Sequence, residues 1–317
     1  MPKFVWVCLT VLCSAACGAD DAAPSKPARD AGERRDASEP RDTAADSGER
    51  DAGKAADAGS EDPPGKTLTI RFEASVNGEP FDCNRRYVLP SIGRVEPREF
   101  KFYVQDLALI DRDGKEVPVR MLERAPHQLR TVALIDFENA TGSCISTPST
   151  NTEILGKVPE GDYRGVVFTN GVPIELNHQD PTTFPPPLQD FSMYWNWFQG
   201  FKFLVADLGA AAPLDGEDDA GMAPAQSVLH VGSAACGSDA NSQIQCANSN
   251  RNRIRLSGFD PASNVIVADL GAVFAGAART ETFCHGGGAK CGRIYRNVGL
   301  DLETGKAIDG QKVFRVE

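Results

Sequence analysis

Leu68, Ile70, Phe72, Ala74 and Val76 alternate with Thr69, Arg71, Glu73 and Ser75. A period of two sets one face of a β-strand against a core and the other in water. Asn77-Gly78 follows, a pair that hairpin turns favour. The pattern then recurs along the chain. Residues 100–110 form a second apolar run that ends at Asp111-Arg112-Asp113-Gly114, and Val117 and Val119 begin a return strand. Residues 132–137 are a short apolar run, and Gly161-Asp162-Tyr163 leads into Val166-Val167-Phe168. Residues 193–207 alternate aromatic and polar positions, and residues 228–231, 253–256 and 265–270 predict three further short strands. No window carries an amphipathic helix of ten residues or more. Many short strands separated by Gly, Pro, Asn and Asp predict an all-β, sandwich-like domain with long loops. The Pro-rich stretch 178–190 and the small, acidic stretch 209–225 are the two long loops, the second reading as a surface insertion.

The first 66 residues follow a different pattern. Lys3 precedes an apolar run, residues 4–16, that is shorter than the roughly 20 residues a membrane-crossing helix needs. It has the length of a signal peptide core. It ends Ser14-Ala15-Ala16-Cys17, similar to a bacterial lipobox, with Ser14 where Leu is usual. Residues 1–16 are therefore expected to be a signal peptide, and Cys17 the lipidated new N-terminus. Gly18 rather than Asp after the cysteine implies the periplasmic face of the outer membrane. Residues 17–66 repeat Arg-Asp-Ala-Gly-like units, with thirteen acids and eight bases after Cys17 and no aromatic, Leu, Ile, Val or Met. With no apolar surface to bury, such a segment is expected to be a disordered, extended tether. Residues 67–317, about 250 in all, are enough for one large β domain. The formal charge of −11, without basic clusters, argues against nucleic-acid partners.

Nine cysteines occur. Cys8 and Cys13 lie in the signal segment, and six remain after Cys17: Cys83, Cys144, Cys236, Cys246, Cys284 and Cys291. An even set in an exported chain predicts disulfides. Short spacing favours Cys236–Cys246 and Cys284–Cys291, which leaves Cys83 with Cys144. Zinc is the rival reading, but there is no C-x-x-C pair, and 9 and 6 intervening residues are not zinc-finger spacings.

The candidate chemistry lies with histidine and tryptophan. The four histidines are His127, His178, His230 and His285. His178 sits in Asn177-His178-Gln179-Asp180 at the entrance to the Pro-rich loop. His230 is flanked by Leu229 and Val231, so on a strand its side chain faces away from both. Trp195 and Trp197 are two apart and on one strand would share a face. His127, in a basic loop, and His285, inside the small Cys284–Cys291 loop, read as structural or surface residues. No G-x-S-x-G, H-E-x-x-H or P-loop occurs. Asp136 and Glu138 pair on a strand face without marking a catalytic site.

The ordered pieces of the domain resemble the MbnP-like family of periplasmic copper-binding proteins, found beside MauG-like di-haem enzymes. They are Phe100 to Val104, Ala133 to Glu138 with Gly142-Ser143-Cys144, and Gly171-Val172-Pro173 with Asn177-His178-Gln179-Asp180. Pro187-Leu188 and Met193 through Trp197 into Gly200-Phe201-Lys202-Phe203-Leu204 come next. His230-Val231-Gly232-Ser233 with Cys236, Gly299-Leu300, and Val313 to Val316 complete the set. Phe201, Val231 and Tyr194 stand where the family often has Tyr, Leu and Phe. The resemblance implies copper held by His178, His230 and a kynurenine made from Trp197 or Trp195 by the di-haem partner, with Trp197 preferred. It implies a binding protein rather than an enzyme. The chemistry is coherent: imidazole suits copper, whereas the indole N–H only donates, so opening the ring is what frees a nitrogen to coordinate. Two other classes compete: a hydrolytic or carbohydrate-active enzyme, and a lipid-anchored adhesion or carbohydrate-binding domain with both tryptophans as a stacking platform. A platform requires both rings exposed; a copper site requires one ring converging with the histidines.

Overall fold

The computed structural model describes residues 65–145, 147–212 and 224–317. The expected signal peptide, Cys17, nearly all of the expected tether and most of the acidic insertion lie outside the described residues. The described chain is mostly strand, as the alternation predicts, and its longest helix, Gly292–Asn297, has six residues. The first strand, Lys66–Val76, carries the alternating face read from the sequence: Ile70 and Phe72 are buried, and Arg71 and Glu73 are exposed. It lies in a six-stranded sheet beside Ile266–Asp269 and Glu153–Val158, with the C-terminal strand Phe314–Val316 pairing Ile266–Asp269.

The opposing sheet has ten strands and is built around Gly93–Asp111. That strand pairs Tyr163–Asn170 on one side and Gly200–Ala210 on the other, followed by Gln226–Gly232 and then the short parallel strand Phe283–His285. The two sheets meet through edge-on rings. Phe72 packs against Phe102 and Phe168 at 5.8 and 5.9 Å, and Phe314 against the same two at 5.1 and 5.4 Å. Such offset arrangements suit the ring quadrupoles.

Along Gly93–Asp111 every residue from Phe100 to Gln105 is buried, so both faces of this sheet are covered. Phe100, Phe102 and Val104 face the inter-sheet core. Tyr103 faces the other way, with Phe201, Phe203 and Val205, into a second cluster closed by Val172, Leu188 and Met193. The Pro-rich loop is the cover. Tyr103 Oη donates to the Pro187 carbonyl at 2.9 Å, and Lys202 Nζ to the Ser192 carbonyl at 2.7 Å.

This second face also buries charge. Lys101 has no exposed surface; its ammonium lies 2.9 Å from Glu138, 3.5 Å from Glu99 and 3.6 Å from Asp190. Burial alone would pull its pKa down, but Glu138, Asp190 and Asp136 outweigh that and hold it above the usual lysine value. Burial, then the charge of Glu138, pushes Asp136 up to about 8, against the pull of Lys101.

The six cysteines pair as the spacing predicts: Cys83–Cys144, Cys236–Cys246 and Cys284–Cys291. Cys236–Cys246 crosses a separate hairpin, Ala234–Ser238 with Ile244–Asn248, that the hydrophobic pattern does not announce. One stretch departs from expectation. Residues 193–207 are not one alternating strand. A 3-10 turn Phe191–Met193, a three-residue strand Tyr194–Asn196 and a turn precede Gly200–Ala210. The Asn196 side chain accepts from the Phe198 and Gln199 amides at 3.0 and 2.9 Å, which ends the short strand. Gly200, at φ +79°, starts the next.

A proton held by native Asp136 and released on unfolding makes stability fall as pH rises between the ordinary value of 3.8 and about 8. Within that window the loss is on the order of 1 kcal/mol per pH unit. Asp136→Asn is expected to flatten this slope, as read from urea unfolding at pH 5, 6.5 and 8.

Candidate metal centre

Strand register brings one row of side chains across the outer face of the ten-stranded sheet. Asp136 pairs with Lys101, Lys101 with Val205, Val205 with His230, and His230 with His285. His230 is on this face because its neighbours Leu229 and Val231 belong to the inter-sheet core. Its ring faces that of His285 with centroids 4.7 Å apart. His285, which the sequence assigns to no site, is set beside His230 by a parallel strand only three residues long, with Cys284 in its centre tied to Cys291. Burial first, then His230 and Lys202, lower the pKa of His285 and so favour its neutral imidazole.

Trp195 completes the group. Its ring meets that of His285 edge-on at 5.7 Å. It lies over Gly232, where an added Cβ would fall 2.5 Å from Trp195 Cζ3 and 2.5 Å from the Phe201 carbonyl oxygen. The close approach of ring and strand thus requires glycine here. Two nitrogens in this group are buried without a hydrogen-bond partner: Trp195 Nε1 and His230 Nδ1. His230 Nε2 is engaged at 2.9 Å by Asp207 Oδ2. Glu99 lies in the same group; its carboxylate, that of Asp207 and an imidazole nitrogen of His230 lie within 4.8 Å of one another.

His178 occupies a second group. It follows the single-turn helix Ile174–Asn177 rather than a strand. Its Nδ1 lies 3.2 Å from the Trp197 carbonyl, which as an acceptor leaves Nε2 unprotonated. That Nε2 accepts from Asn177 Nδ2 at 3.0 Å and sits 3.4 Å from Cys246 Sγ. Burial lowers the His178 pKa, against the carbonyl of Trp197. The ligand-capable atoms of His178, Cys236 and Cys246 lie within 4.8 Å of one another, but both sulfurs are committed to a disulfide. Asn177 links the two groups. It is fully buried, its Oδ1 accepts from the Phe201 amide at 3.0 Å, and its Nδ2 also reaches Ser233 Oγ at 3.2 Å, just beyond the strand of His230.

The two tryptophans therefore do not share a face. Trp197 is in the turn, 59% exposed, and stacks edge-on with Phe198 at 5.8 Å. Trp195 is half-buried while Trp197 is exposed, so the two rings do not form one shared platform. His127 bonds Ser149 Oγ at 2.8 Å in a different loop. A cavity of about 930 Å³ borders Gln105, Arg130, Glu175 and Arg251 and shares no residue with either histidine group.

Comparison with known proteins agrees with this architecture. The MbnP family model matches residues 65–289, a span that includes His178, Trp195, Trp197, His230 and His285. The solved structure of MbnP from Methylosinus trichosporium superposes with a TM-score of 0.65 at 25% identity, covering 79% of this chain and 98% of that one. A search of curated proteins finds no match.

Gly232→Ala is expected to lose roughly 1–3 kcal/mol, the usual range for forcing a methyl into a filled space. Gly237→Ala, where a Cβ meets nothing within 4 Å, should change stability far less. Urea midpoints of the two variants check the difference.

Proposed function

The chain belongs to the MbnP family, and from that premise we propose that it is a copper-binding protein rather than an enzyme. In this reading Cys17 carries a lipid anchor, and the domain works at the periplasmic face of the outer membrane in copper acquisition or homeostasis.

The observation that carries the reading is the pair of partnerless buried nitrogens, His230 Nδ1 and Trp195 Nε1, on either side of His285. A buried polar group without a partner costs about 1–3 kcal/mol, and a metal at this position would satisfy the imidazole. Copper suits the donor set: imidazoles are good ligands for it, and no thiolate competes because the nearby cysteines are in a disulfide. Intact indole offers no lone pair. Oxidation by a di-haem partner enzyme, using a dioxygen- or peroxide-level oxidant, would cleave the indole C2–C3 bond and add an oxygen at each carbon. Hydrolysis would then release formate and leave kynurenine, whose aniline nitrogen can coordinate.

Trp195 is the better candidate for that change, because its ring already meets His285, whereas Trp197 points to solvent. His230 is the first imidazole ligand. His178, favoured by the family resemblance, and His285, favoured by ring contact with His230, are the candidates for the second. His178 has first to release the Asn177 amide that occupies its Nε2. When bound, copper would supply a redox-active cation; the chain's own residues orient the ligands, and Trp195 closes over the strand at Gly232.

Peptide mass spectrometry and copper analysis of protein from its native host test this reading. The expected result is a Trp195 peptide that has gained one oxygen and lost one carbon, with copper bound and lost in His230→Ala. Loss in His285→Ala or in His178→Ala identifies the second imidazole. Two unmodified tryptophans and no copper from copper-replete cells would overturn the assignment.

A further inference from the structure

Asp207 lies opposite Val228 in the sheet, two pairs along from the row that carries His230, with its carboxylate 2.9 Å from His230 Nε2. A carboxylate has only acceptors to offer, so the hydrogen in this contact belongs to Nε2. A neutral imidazole with its hydrogen on Nε2 carries its lone pair on Nδ1. His230 Nδ1 is the buried atom without a partner, in the ring that faces His285.

We infer that Asp207 is the positioning residue of the centre: it fixes His230 in the Nε2–H form and so presets Nδ1 as the metal-facing atom. The inference rests on the copper reading for the identity of the metal, but not for the state of the imidazole. Such carboxylate–histidine–metal arrangements set ring orientation and ligand basicity, and removing the outer carboxylate commonly costs about 10–100-fold in metal affinity.

The surroundings hold Asp207 to the task. Glu99 lies opposite it on the adjacent strand and is turned to Lys101 at 3.5 Å. Lys202 is anchored to the Ser192 carbonyl at 2.7 Å and acts electrostatically on both His285 and the carboxylates. Glu99 therefore adds charge near the centre, while the hydrogen bond to the imidazole comes from Asp207.

The experiment has two arms. Long-range proton–nitrogen correlation spectra of the full metal-free chain, labelled with 15N-histidine, read the tautomer of His230. Copper titration of protein from the native host reads affinity. In wild type, His230 should be a single Nε2–H tautomer. Asp207→Asn can present an amide donor to the ring, and it should shift His230 toward Nδ1–H and weaken copper binding about 10–100-fold. Glu73→Gln, on the exposed face of the first strand in the other sheet, should leave both close to wild type. An unchanged tautomer in Asp207→Asn, or equal losses of affinity in the two variants, would overturn the inference. If wild type fails to bind copper while the tautomer still follows Asp207, the copper reading falls and the control of His230 by Asp207 stands.

Discussion

A lysine with no exposed surface sets the terms for one whole side of this molecule. An unpaired ammonium in a protein interior is too costly to persist, so Lys101 has to be enclosed by carboxylates, and they come from three places. Glu99 is on its own strand, Glu138 follows the paired strand Ala133–Asp136, and Asp190 comes from the Pro-rich loop. The third partner matters most for function, because the same loop carries His178 before Asp190 and Trp195 after it. Its closure is reinforced by Tyr103 on Pro187, Lys202 on Ser192, and Leu188 and Met193 in the second apolar cluster. An outer sheet face that would otherwise be wet becomes a second interior, and His230 lies at its margin.

That second interior explains how far the sequence could be read. The inter-sheet core was legible because its signal is local: Ile70 and Phe72 against Arg71 and Glu73 state which face is buried. The disulfides were legible because two of the three pairs close short loops. The strand Gly93–Asp111 was visible as an apolar run, but Lys101 within it gave no hint that it is buried. The cause is a loop that arrives about ninety residues later. The parity of Trp195 and Trp197 misled for a nearer reason. Alternation holds only while the strand continues, and the Asn196 side chain ends it by capturing two amides. Asn followed four residues later by Gly200 was the available warning. His285 escaped because three residues are too few to show a period, and its partner strand lies more than fifty residues away. The usable signal was Cys284 beside it: a histidine next to a disulfide in a tight loop is held rigidly wherever that loop docks.

Three of the buried side-chain atoms without a hydrogen-bond partner gather around these rings, and others are scattered through the domain. Native interiors leave few polar atoms without partners, and here His230 Nδ1, Trp195 Nε1 and Asp207 Oδ1 all fall within one neighbourhood. If packing alone governed this region, replacing such groups by apolar ones would be the cheaper solution. A group of such atoms around one well-made bond, Asp207 to His230, is the feature on which the proposed copper reading rests.

Asn177 shows how the second histidine is tied to the same frame. Its carboxamide has one acceptor on the Phe201 amide and shares its donors between His178 Nε2 and Ser233 Oγ, so a single buried side chain joins the loop, the strand of Phe201 and the end of the strand of His230. Gly200 makes room for it: a Cβ there would fall 2.6 Å from the Asn177 carbonyl oxygen. The same amide that holds His178 in place also occupies the lone pair through which it would coordinate. In the proposed copper reading His178 would join the metal only by exchanging that bond. His230 needs no such exchange, because Asp207 engages its other nitrogen. The two histidines are thus unequal in their hydrogen bonds: His230 leaves Nδ1 without a partner, whereas an amide occupies Nε2 of His178.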